Sequence, residues 1–181
     1  SSEVAVGDNA VYAVDDGGLF KRIEGGQTIW EIDLDGVEFR TLDGHEFFSP
    51  ILVDDAVIVP QIYTPSGKDG EKYGGIFAFD SEDGSLISSD TQLQDIDVTP
   101  TAYADTVVIG DSAGQLRGGD VFNSYDEWNS GLDQEITTAL SVVDNTLIYG
   151  TQSGAIIGIN PESGEQLWSH NVLSEPITGV I

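Results

Sequence analysis

The chain has 181 residues, 39% of them hydrophobic, and carries 32 Asp plus Glu against 6 Lys plus Arg for a formal net charge of −26. That apolar content and length suffice for one core-bearing domain, and the few cations (Lys21, Lys68, Lys72, Arg22, Arg40, Arg117) form no basic patch; nucleic acid and anionic membranes, whose phosphates need such a patch, are excluded as partners. Zero cysteines exclude disulfides and thiolate metal sites, and no apolar run approaches the ~20 residues of a membrane span.

In chain order the elements read as short strands and tight turns throughout, with no helical periodicity. Val4-Ala5-Val6 is an inner strand, followed by Asn9-Ala10-Val11-Tyr12-Ala13-Val14 and a turn at Asp15-Asp16-Gly17-Gly18. Gly26 and Trp30 close this first unit, residues 1–34, with a segment before them that is one residue short of the later copies. A second unit, about residues 48–94, opens with Asp55-Ala56-Val57-Ile58-Val59-Pro60 and continues through Ile76-Phe77-Ala78-Phe79-Asp80-Ser81-Glu82-Asp83-Gly84 to Ser88. It also holds an insert, Tyr63 to Gly74, with two of the three lysines and two tyrosines. That insert is a candidate binding loop, on the same end as the links entering each unit.

The third unit, about residues 98–132, contains Asp105-Thr106-Val107-Val108-Ile109-Gly110-Asp111-Ser112-Ala113-Gly114. Forty positions later the fourth, about residues 136–172, reads Asn145-Thr146-Leu147-Ile148-Tyr149-Gly150-Thr151-Gln152-Ser153-Gly154. In the fourth copy an apolar stretch, Leu140 to Val143, meets a tight turn at Asp144-Asn145, and three more strands follow, the last ending on Trp168. Such turns use residues that tolerate φ > 0. Pro176 to Ile181 repeats the opening of the earlier units and is expected to begin a fifth. Four antiparallel strands per ~40 residues, in fixed register, predict the blades of a β-propeller. The fold class is therefore all-β: four blades and the first strand of a fifth, a partial or half propeller.

The third and fourth strands carry a family resemblance. Ile156-Ile157-Gly158-Ile159-Asn160-Pro161-Glu162-Ser163-Gly164-Glu165-Gln166-Leu167-Trp168 resembles the PQQ-like (quinoprotein-like) repeat. The second copy matches it through Gly84 but has Ser88 in the Trp position; the third keeps Leu116, Asp120 and Trp128 with Ser124 in the Gly position. The periodic indoles, Trp30, Trp128 and Trp168, are expected to pack between neighbouring blades.

The resemblance extends to enzymes and to scaffolds, so chemistry has to be sought in the residues. A quinoprotein dehydrogenase, as the family implies it, needs a tryptophan floor, a calcium held by carboxylate and amide, an Asp base and often a vicinal disulfide. The disulfide is impossible here, and no segment resembles the rest. Asp80 to Gly84 and Asp33-Leu34-Asp35-Gly36 are oxygen-rich but lack the spaced ligands of an EF-hand, and both fall where the repeat needs a turn. His45 and His170 belong to different repeats and have no matching ligand set. No catalytic, cofactor-binding or metal residue is assigned, and no cofactor is expected.

Carboxylates scattered over the whole chain, with few lysines, are the pattern of proteins from salt-accumulating archaea. In dilute buffer that charge repels itself; at molar salt the Debye length falls to roughly 3 Å and the repulsion is screened. The sequence thus reads as a haloarchaeal, non-catalytic propeller that needs high salt. It is expected outside the cell or at its surface, as an interaction scaffold for a protein partner or by self-association through open blade edges. The alternatives are a piece of a PQQ-dependent dehydrogenase and the sensor propeller of a signalling protein.

Overall fold

The computed structural model of the chain describes residues 3–34, 43–64, 73–94, 98–111, 114–120, 122, 124–131, 134–172 and 174–179. These hold seventeen strands and no α-helix. The chain divides into two compact units, residues 1–94 and 95–181, each containing two antiparallel sheets.

In the first unit, β1 (Glu3–Val6), β2 (Val11–Val14), β3 (Leu19–Glu24) and β4 (Gln27–Asp33) form one sheet in simple meander order. The turns explain themselves locally. Asp15 Oδ1 accepts from the Gly17 and Leu19 amides, both at 2.9 Å, a side-chain cap that closes the β2–β3 turn. The β3–β4 connection is a two-residue hairpin, Gly25-Gly26, with φ of 55° and 80°; both central residues sit at positive φ, as the twist-matched type I′ turn demands. Arg22 stands opposite Trp30 here, whereas Gly158 stands opposite Trp168 in the last sheet. The first copy is thus two residues shorter than the others before its Gly, a correction to the one-residue gap expected from the sequence.

The second sheet contains β5 (Asp43–Phe47), β6 (Ile51–Val53), β7 (Ala56–Thr64), β8 (Tyr73–Asp80) and β9 (Leu86–Gln94). Its inner strand is split. β6 pairs with Ala56 to Ile58, and β5 pairs with the far end of β7, from Gln61 to Thr64. The two ends of the insert, Tyr63-Thr64 and Tyr73-Gly74, are strand: Tyr63 pairs with Tyr73 across β7 and β8, their rings stacked at 6.0 Å. The rest of the candidate binding loop, residues 65–72, lies outside the described residues, as do residues 35–36 of the Asp33–Gly36 segment.

In the second unit, β10 (Val98–Tyr103), β11 (Thr106–Gly110), β12 (Gln115–Asp120) and β13 (Ser124–Gly131) make the third sheet. β14 (Ser141–Val143), β15 (Thr146–Gly150), β16 (Ala155–Ile159) and β17 (Gln166–Asn171) make the fourth. Every sheet carries a register shift at the same place, just after Arg22, Ala78, Gly118 and Gly158 respectively. A bulge re-aims the residues around it, and here it acts beside the position that holds Trp in three sheets and Ser88 in the fourth.

Of the expected fifth inner strand, residues 176–179 are described and carry no strand pairing, and residues 180–181 lie outside the described residues. The segment is nonetheless docked: the Ile177 amide donates to the Thr151 carbonyl at 3.2 Å and its side chain is buried against Gly150. Ile136 meets Gly110 in the same way at the entry to the fourth sheet.

Each unit has a core made from the facing surfaces of its two sheets. In the first, Tyr12, Val14 and Phe20 pack on Val57, Val59, Phe77 and Phe79, with the Phe20 and Phe79 rings 5.5 Å apart. In the second, Val108 and Leu116 pack with Leu147, Tyr149, Ile157 and Ile159. Tyr149 is fully buried, and its hydroxyl finds no hydrogen-bond partner among the described residues. Burial disfavours the phenolate and pushes the Tyr149 pKa well above its ordinary value. The folded state therefore keeps a proton that the unfolded chain gives up near pH ~10, so this contribution is intact below that pH and is lost as pH rises through it. Tyr149→Phe removes the orphan hydroxyl; it should stabilise the second unit by about 1 kcal/mol and raise the pH of alkaline unfolding, both read by circular dichroism.

Candidate functional site

The chemistry-bearing side chains of the described residues converge on the β-turns where one sheet of a unit meets the other. In the second unit, Trp128 on β13 lies over Gly118 of its own sheet: a Cβ at Gly118 would stand 2.2 Å from Trp128 Cε2. The same ring covers Gly164 in the β16–β17 turn, where a Cβ would stand 2.3 Å from Trp128 Cε3. Its Nε1 donates to the Pro161 carbonyl at 3.0 Å. The turn is held ready by Asn160, whose Oδ1 accepts from the Glu162 and Ser163 amides. Gly164, at φ 69°, is required twice over, by its backbone and by the ring above it.

The first unit repeats this lock with one change. Trp30 on β4 covers Gly84, and its Nε1 donates to the Ser81 carbonyl at 3.3 Å. Asp80 Oδ1 accepts from the Glu82 and Asp83 amides, so that carboxylate closes its own turn. Within this turn the Asp83 carboxyl, bonded by Ser85, sits below its usual range. The change is Arg22, which occupies the register position of Gly118 and Gly158. Its Nη1 donates to the Ser81 and Glu82 carbonyls at 3.1 and 2.9 Å, and Nη2 pairs with Glu24 at 3.4 Å. Tyr12 Oη reaches the same Ser81 carbonyl at 3.2 Å. Sequence reasoning missed Arg22; the available signal was a cation standing where two other copies have Gly.

Beside this junction lies a cleft of about 520 Å³, lined by Tyr12, Arg22, Asp8, Asp54, Asp55 and Glu82 among others. Its one guanidinium donates through Nη1 to carbonyls and through Nη2 to Glu24, and four carboxylates, Asn9 and Ser81 complete its polar lining. Arg22→Ala leaves the Ser81 and Glu82 carbonyls without that donor and should cost the first unit about 2 kcal/mol in a denaturant titration; Arg22→Lys, which reaches with a single ammonium, should recover only part of this.

The other sequence candidates do not come together. Among the described residues no three His, Cys, Asp or Glu side chains are placed to hold a metal ion. His170 is exposed, with its ring 6.0 Å from Trp168; the side chain of His45 lies outside the described set. Trp168 covers Gly158 of its own sheet, as Trp128 covers Gly118, and is partly exposed as Trp30 and Trp128 are. The oxygen-rich turns are used locally: the Asp80 and Asn160 oxygens accept from turn amides, and the indoles cover glycines.

Two sheets joined by a Trp-to-turn lock, repeated at a fixed interval, define the kind of repeat. The family described as outer membrane protein assembly factor BamB, a PQQ-type repeat family, matches residues 1–180. The chain belongs to this family. Among solved structures it is similar to BamB from Moraxella catarrhalis, at 21% identity over 94% of this chain and 51% of that one, with a TM-score of 0.60. The quinohemoprotein alcohol dehydrogenase of Comamonas testosteroni matches 96% of this chain and 37% of its own, at 13% identity and a TM-score of 0.66. The computationally designed Ika4 protein matches 87% of this chain and 89% of its own, at 20% identity and a TM-score of 0.59. No curated protein matches. The fold is a β-propeller of four-stranded antiparallel blades, and the chain spans about half the length of the Moraxella BamB. Each sheet described above is one blade, and Trp30, Trp128 and Trp168 each stand within the outer strand of their blade with three strand residues after them, a correction to the expectation that the last strand ends on Trp168.

Proposed function

We propose that the chain acts as a non-catalytic interaction scaffold in a halophilic archaeon, outside the cell or at its surface, presenting its blades to a protein partner. One observation carries the reading. The Asp80 and Asn160 oxygens, Arg22 Nη1 and the Trp30 and Trp128 indole N–H groups are spent on backbone amides and carbonyls within the fold. Reactive side chains held this way build a rigid body and leave recognition to its surface. Membership of the BamB family supports this, because that family is named for assembly rather than for a reaction.

The similarity to quinohemoprotein dehydrogenases keeps a second reading testable, that of a piece of a PQQ enzyme. Titrating PQQ with Ca²⁺ into the folded protein at molar KCl should leave the melting temperature unchanged. A rise of several degrees that needs both additions would replace the scaffold reading with the enzymatic one.

A further inference from the structure

We draw no further inference here: the strongest candidate, the cleft beside the Arg22–Ser81 junction of the first unit, belongs to the site already described, its charged lining beyond Arg22 is a cluster of carboxylates (Asp8, Asp54, Asp55 and Glu82), and no second feature among the described residues shows what ligand would fill it.

Discussion

Dialysis from molar KCl to about 0.01 M unfolds this protein, and restoring the salt refolds it: this is the result expected from the charge. Lys21 pairs with Glu31 at 2.8 Å and Arg22 with Glu24, but 6 cations cannot neutralise 32 carboxylates. At molar salt each carboxylate is felt over roughly 3 Å, and at 0.01 M over roughly 30 Å, a distance that takes in most of a unit. Net stability of a domain is only about 5–15 kcal/mol, so unscreened repulsion among so many like charges is enough to exceed it. Tryptophan emission and circular dichroism should change together, with a midpoint in the tenths-of-molar range. A protein whose emission and melting temperature are the same at both salt extremes would end the halophilic assignment.

Replacing Trp128 by Ala has the next largest expected effect, a loss of about 3 kcal/mol from the second unit measured by denaturant unfolding at molar salt. The ring fills the space above Gly118 and Gly164 at once, and the Pro161 carbonyl loses its donor. Trp128→Phe keeps a ring without the N–H and should cost about half as much. Gly118→Val drives a side chain into the indole and should be at least as harmful as losing the ring. The informative contrast is Trp168→Ala, chemically identical and in the same register position, which should cost under about 1 kcal/mol in the monomer, since that ring covers Gly158 alone. Equal losses at Trp128 and Trp168 would mean that the inter-blade contact contributes little.

The order of these two tests separates what was readable from what was not. Strand, turn and repeat were legible because their causes are local. Asp15, Asp80, Asp111 and Asn160 each cap amides within four residues of themselves, so a turn is written in the residues that make it. The candidate oxygen-rich turn at Asp80 was correctly assigned to structure for that reason. The insert's bounds were drawn two residues too wide at each end because strand length depends on a partner: Tyr63 and Tyr73 extend β7 and β8 only by pairing across the hairpin and against β5. Arg22 escaped notice because its role exists only in register with a turn some 60 residues away.

The acidic composition, the ~40-residue period and the recurrence of an indole in the outer strand of three copies were thus determined by the sequence alone, each being a matter of composition or short-range spacing. Which indoles are locked was decided by tertiary structure. Trp30, Trp128 and Trp168 stand at the same point of the repeat, yet Trp30 and Trp128 are each held by a carbonyl and a glycine of the neighbouring blade, whereas Trp168 covers Gly158 of its own blade. A side chain's identity fixes what it can donate and cover; only the adjacent blade supplies the acceptor and the hollow.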